Sequence, residues 1–351
     1  MKIIKYLNKI IPFSSKKDVE LKNILVVSNT GFGDTILTTP SIKSLRVNYP
    51  TIRINFLVNS NFYSLFENFE YVDNVLKYKS GFFNQIKLIK KLKKLNIDTI
   101  FLFHSNGPED IFFSKLSGAR AILKMTHNKN HDYKDIFLNN PVSIEQHDIE
   151  NRLDLVRLYS GVNLSTIMSV PKRFYNTEPY FKDQSKTYIA FQLGAQDTFK
   201  MWPLESFIDL ANKLLKDDST LQIVVLGATK YEVTLTKEFI SKVNEKDRII
   251  DLCAKTKVDI LPTILNQMKL LVSNDTGTMH LSIALKKRTI CLFGPTKSNM
   301  FGPYQDLKLH DVIQKDIKID TKSFSKKDWT QDTMNQICVD EVYNKIVREV
   351  G

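Results

Sequence analysis

Short apolar runs bounded by glycine or polar loops recur along the chain. They fall at residues 23–28, 52–59, 75–78 and 99–103, then at 187–192, 222–226, 249–252, 270–273 and 289–293. Between them the apolar positions repeat at helical spacing. Such stretches predict helices near residues 36–49, 85–95, 110–117, 148–159, 204–215, 231–243, 260–268 and 279–285. Strands that alternate with helices imply parallel sheets with right-handed crossovers. The pattern restarts at residue 187, so the expected class is α/β with two Rossmann-like domains. The 351 residues exceed the size at which one core usually stops growing, which fits. A polar, proline-containing stretch at 165–186 marks the boundary. The expected division is an N-terminal extension over 1–21, domains over 22–170 and 171–330, and a tail over 331–351. The last helix, near 335–347, is expected to pack back on the first domain.

Composition narrows the compartment more than the chemistry. Cys253, Cys291 and Cys338 form no CxxC pair and are odd in number. A disulfide framework or structural zinc site is therefore not expected, and a reducing cytosol fits. No run approaches the ~20 apolar residues of a membrane-crossing helix. The net charge is +12, and residues 1–100 hold sixteen Lys and Arg against seven Asp and Glu. Two segments carry most of that excess. One is an amphipathic stretch over 1–17, with Ile3, Ile4, Leu7, Ile10 and Ile11 among lysines. The other, 85–95, holds Lys87, Lys90, Lys91, Lys93 and Lys94. Each reads as a solvated helix face or as a helix resting on anionic lipid headgroups. The first makes a poor secretory signal, because lysines interrupt its apolar positions.

In such sheets, the carboxyl ends of strands open onto ligand crevices, and four of these ends carry candidate chemistry. The first is Gly31-Phe32-Gly33-Asp34. A dinucleotide fingerprint would need a small residue at Ile36 and an acid near Asn59, so NAD binding fits poorly. Asp34 reads either as a helix cap or as a cleft carboxylate able to take a proton from a hydroxyl. The second is Gly194-Ala195-Gln196 with Lys200, a candidate diphosphate ligand, and Trp202, a packing anchor, downstream. The third, Gly227-Ala228, precedes Glu232, which reads either as a first-turn acid complementing the helix dipole or as a ribose acceptor. The fourth is the most specific. Ser273-Asn274 leads into Asp275-Thr276-Gly277 and then His280. Backbone amides of Thr276–Thr278 at a helix start suit an anion, and His280 lies one turn in as a phosphate donor. In the first domain, His104, Ser105 and Asn106 follow a strand end and, with Gly33, are the expected acceptor-side residues.

These residues resemble glycosyltransferase family 9, the ADP-heptose:lipopolysaccharide heptosyltransferase family. The likeness runs from Gly33-Asp34-Thr35 through Thr39-Pro40, Leu116–Arg120, and His147 through Arg152 to Gly161. It continues with Lys200, Trp202-Pro203, Asp275-Thr276-Gly277, His280 and Phe293-Gly294-Pro295-Thr296. The resemblance implies the GT-B fold, two Rossmann-like domains facing across a cleft. It implies an inverting, metal-independent transfer needing no cofactor, with a nucleotide-sugar donor held mainly by the C-terminal domain. Asp34 takes the position of the general base. Lys200, Thr276, Gly277 and His280 fall on donor-phosphate positions, and Asp275 on one that holds the sugar. Three features depart from the pattern: Ala195-Gln196 where hydroxyl residues are frequent, the displaced acid at Glu232, and the extension before Lys22.

The resemblance implies ADP-heptose as donor and an anionic glycolipid, lipid A bearing Kdo, as acceptor. The N-terminal basic excess then suits a cytoplasmic enzyme working peripherally on the inner membrane of a Gram-negative bacterium. A sugar-nucleotide epimerase on the same scaffold is the alternative, since fold alone does not separate the two. Nucleic acid is not expected as a partner, because the lysines lack interleaved aromatics and no nucleic-acid module is visible.

Overall fold

A computed structural model describes residues 2–16, 19–104, 107–126, 138–143, 145–159, 163–172, 175–177, 179–181, 183, 185–315 and 329–348. The chain divides into two compact units, Met1–Pro171 and Lys172–Gly351.

The first unit contains α1 (Lys2–Ile10), β1 (Asn23–Ser28), α2 (Phe32–Leu37), α3 (Thr39–Asn48), β2 (Arg53–Asn59), α4 (Tyr63–Phe66) and β3 (Asn74–Tyr78). It continues with α5 (Phe82–Leu95), β4 (Thr99–His104), α6 (Pro108–Leu116), β5 (Ala121–Thr126), β6 (Leu138–Pro141) and α7 (Asp148–Arg157). Its six strands pair in the order β3-β2-β1-β4-β5-β6, all parallel. Ile24, Leu25, Val26 and Val27 of β1 are fully buried, because a central parallel strand is covered on both faces. On one face, Ile4 of α1, Leu88 and Leu92 of α5 and Phe112 of α6 share a core with Val27 and Ile100.

The second unit contains β7 (Thr187–Gln192), α8 (Leu204–Asp217), β8 (Leu221–Leu226), α9 (Lys230–Lys242), β9 (Ile249–Asp251), α10 (Leu261–Gln267) and β10 (Leu270–Asn274). Then come α11 (Gly277–Ala284), β11 (Thr289–Phe293), α12 (Ser298–Phe301), β12 (His310–Gln314), α13 (Asp332–Asn335) and α14 (Val339–Val347). Its sheet order is β12-β11-β10-β7-β8-β9. Read from the other edge, this is the strand order of the first sheet, so the architecture is duplicated without any sequence repeat.

The structure changes several sequence expectations. The helix expected over 36–49 is two helices that meet at Thr38. Strands β5, β6 and β12 follow no clear apolar run. The last helix packs on the core of the second unit. Met334, Ile337, Val342 and Ile346 lie in the second core, and Lys213 pairs with Asp340 at 2.7 Å. Its apolar stripe packs against α8. All three cysteines are free thiols.

Candidate functional site

In each sheet the strand order reverses at one pair of neighbours, β1 and β4 in the first and β7 and β10 in the second. Chain segments leave those strands toward opposite faces, and a crevice opens beyond their carboxyl ends. The candidate residues gather there in both units.

In the first unit, Asp34 stands at the third position of α2, and Gly31 takes the cap position in extended backbone. The capping alternative for Asp34 therefore does not hold. A Cβ added at Gly31 would lie 2.5 Å from Asp34 Oδ2, so only glycine lets the carboxylate fold back toward the strand end. Arg152 Nη2 donates to Asp34 Oδ1 at 3.3 Å, and Arg152 Nε donates to Thr38 Oγ1 at 3.2 Å. The other edge of the guanidinium meets Asp148, one turn earlier on α7. Arg152 is completely buried, while Asp34 keeps 27% of its side chain exposed. Burial lowers the guanidinium to about 10 against the pull of Asp34, so it stays charged at neutral pH.

His104, the last residue of β4, faces the same carboxylate, with Nε2 at 3.4 Å from Asp34 Oδ1. Its Nδ1 meets the Thr30 hydroxyl. A neutral ring with its proton on Nε2 suits both neighbours. Burial holds the imidazole below its usual value, Asp34 opposes this, and Arg152 and Lys124 reinforce it. Behind this group, Asn29 Nδ2 donates to Asp110 Oδ1 at 2.6 Å. Lys124 of β5 is also buried; desolvation lowers its ammonium and Asp110 pushes it back up. Asp34 is thus a fixed carboxylate with a cation on one side and an imidazole on the other. It suits proton abstraction from a hydroxyl.

In the second unit, Thr276 caps α11, its hydroxyl accepting from Met279 N. Asp275 is thereby released from capping, and its Oδ2 takes a 2.6 Å hydrogen bond from Lys200 Nζ. Asn274 ties the two strand ends together. Its Oδ1 accepts from Trp202 N at 2.9 Å, and its Nδ2 donates to the carbonyls of Gln192 and Leu193. Lys200 therefore arrives on a short helical turn anchored to β10 through the neighbouring Trp202. Trp202 itself is buried as a packing residue, its indole donating to Ile337 O. His280 is buried in the first turn of α11.

Glu232 is the acid of a capping box on α9. Its Oε1 accepts from Gln192 Nε2 at 2.6 Å, and its Oε2 accepts from the amides of Ala228 and Thr229. It also fills the space where a Cβ on Gly194 would sit, its Cγ lying 2.4 Å from that point.

The structure thus brings Asp34, Gly33 and His104 to one crevice. It brings Gly194, Ala195, Lys200, Asp275, Thr276, Gly277 and His280 to the loops after β7 and β10, with the exposed Gln196 beside them and Glu232 after β8. Ser105 and Asn106 lie outside the described residues. Arg152 received no role from the sequence. It lies 118 residues from Asp34 on α7, and its only signal was its place in the resemblance.

Two doubly wound parallel sheets of equal strand order, each with polar chemistry at its switch point, define the GT-B class of fold. A model of glycosyltransferase family 9 (heptosyltransferase) matches residues 113–330. The chain belongs to that family and is a glycosyltransferase. Among its relatives is lipooligosaccharide heptosyltransferase 2 of Campylobacter jejuni. The two are 27% identical over 282 residues, covering 79% of this chain and 82% of the relative. Similar solved structures include ADP-heptose lps heptosyltransferase II of E. coli, with a TM-score of 0.76 at 17% identity, covering 93% of this chain and 98% of that one. The family 9 glycosyl transferase of Veillonella parvula superposes with a TM-score of 0.77 at 18% identity, over 94% and 97% of the two chains.

Proposed function

We propose that this glycosyltransferase moves a heptose from ADP-heptose to the inner core of a lipopolysaccharide acceptor, with inversion and without a metal. The names of its relatives support the sugar and the acceptor class. The observation that carries the mechanism is the Asp34 carboxylate, partly exposed and fixed on Oδ1 by buried Arg152 and by His104. In this reading, Asp34 takes the proton of an acceptor hydroxyl as that oxygen bonds to the anomeric carbon. The bond from that carbon to the diphosphate breaks on the opposite face, and ADP leaves. Charge grows on the departing diphosphate. Lys200, His280 and the amides at the start of α11 stabilise it, the task a metal performs elsewhere. Asp275 holds the sugar, and Glu232 meets the ribose through lone pairs beyond those already bonded. Gly194, Ala195 and Gln196 give the donor room near backbone. Gly33 and His104 border the acceptor. The enzyme would work from the cytoplasm, on the inner face of the inner membrane, where such an acceptor is displayed.

The test is transfer from ADP-heptose to Kdo-bearing lipid A. Asp34→Asn is expected to lower turnover by ~100-fold or more, the scale of a lost general base, while ADP still raises the melting temperature. Near-normal turnover would remove Asp34 from the chemistry. Equal thermal stabilisation by ADP, UDP and GDP would remove the adenine assignment.

A further inference from the structure

Two elements of the first unit expose apolar side chains that its own core does not use. Helix α1 buries Ile4 and Asn8, and its C-terminal end is fastened to both ends of α6. Asn8 Nδ2 donates to Pro108 O at 2.7 Å, and Lys115 Nζ donates to the carbonyls of Asn8 and Ile11. With that stripe satisfied, a second one remains outside. Ile3, Tyr6 and Ile10 are 68%, 66% and 56% exposed. At the start of α5, Phe83 is 80% and Phe82 43% exposed, and the Phe82 ring still reaches Phe112 of α6 at 6.3 Å. Both elements therefore lie against α6, on one face of the sheet.

The aromatic pair is held rigidly. Gly81 enters α5 with φ of 103°, a conformation that favours glycine. Glu109 accepts from Gly81 N, Gln85 Nε2 and Tyr78 Oη, which locks that turn. Exposed clusters of large apolar groups on a fixed frame mark an interaction surface. The charge beside them selects the partner. Lys2, Lys5 and Lys9 on α1 and Lys87, Lys90, Lys91, Lys93 and Lys94 on α5 are all exposed, and neither helix contains an acid. Among the described residues no helix is long and apolar enough to cross a membrane.

We propose that α1 and the first turn of α5 form a docking surface for an anionic lipid bilayer. Ile3, Tyr6, Ile10, Phe82 and Phe83 enter the headgroup boundary, and the lysines pair with lipid phosphates. Apolar insertion and attraction to anionic lipid add for such helices. The proposal builds on the glycolipid-acceptor reading. Vesicle binding is measured without donor or acceptor, so either reading can fail alone.

The test is co-sedimentation of the full chain with vesicles of equal parts phosphatidylglycerol and phosphatidylcholine, and with phosphatidylcholine alone. Binding is expected to the anionic vesicles and to weaken as salt screens the lysines. The triple variant Ile3→Ser, Tyr6→Ser, Ile10→Ser and the double variant Phe82→Ser, Phe83→Ser should each bind roughly tenfold or more weakly. Circular dichroism and ADP-induced stabilisation should be unchanged. Equal binding to both vesicle types would overturn the proposal, as would variants that bind like wild type. So would a dimer in solution that both variants abolish, because a second copy would then cover this face.

Discussion

Arg152 sits at the centre of a buried set of charges. Its guanidinium is buried and meets Asp34, Thr38 and Asp148 at once. Removing one member of a buried charge set leaves the others unpaired, at a cost of about 3–5 kcal/mol. Arg152→Met is therefore expected to lower the unfolding free energy of the first unit by that amount, read from a urea titration. Arg152→Lys should retain part of the stability but lose turnover, because an ammonium cannot meet three partners in a plane. If Arg152→Met keeps wild-type stability and turnover, the carboxylate does not depend on it. Of the two residues flanking Asp34, His104 is marked by its strand end and Arg152 is not. Asp34, Lys200, Asp275 and His280 stand at strand ends or loop turns, where type and position together suggest chemistry. Arg152 looks like an ordinary helix residue until α7 is laid beside α2.

Among the elements, Asn274 shows how the second sheet presents its loops. Its amide joins the carbonyls at the end of β7 to the backbone of Trp202, just before α8. Asn274→Ala would remove the side-chain hydrogen bonds to three buried backbone groups, each worth about 1–3 kcal/mol. The expected result is a loss of several kcal/mol in stability and weaker ADP binding, read by urea titration and thermal shift. Unchanged ADP binding in a folded variant would show that Lys200 is positioned by other means. The visible elements were those with strong apolar runs. β1, β7 and β11 are central or near-central strands buried on both faces, and their bounds match the apolar runs residue for residue. β12 is an edge strand, HDVIQ, with only His310 and Ile313 buried, and β5 carries Lys124 in its interior. Neither looks apolar enough to announce a strand. The break at Thr38 is likewise hidden, because its backbone stays helical there.

Each unit of the molecule holds an imidazole that desolvation keeps neutral, one lining the crevice and one buried. In the first unit it is His104. In the second it is His310, lowered to about 4 by burial and Arg288 against the pull of Asp306 and Asp311. Neither ring nitrogen of His310 has a hydrogen-bond partner among the described residues. An unfolded histidine titrates near 6.5, so below that pH the unfolded chain binds a proton that the folded chain does not. Stability from this source is full above about pH 6.5 and is lost as pH falls toward 4. At about pH 5 the loss amounts to about 2 kcal/mol. Both tryptophans, Trp202 and Trp329, lie in the second unit. Tryptophan fluorescence therefore follows that unit alone, while circular dichroism follows both. The fluorescence midpoint in urea is expected to drop between about pH 7 and pH 5 in wild type. In His310→Leu it should hold nearly constant, since leucine fills the site without titrating. Because His104 still titrates in that variant, the circular dichroism midpoint should retain an acid-sensitive component. A fluorescence midpoint in His310→Leu that falls with pH as steeply as wild type would show that the second core's acid sensitivity lies outside His310.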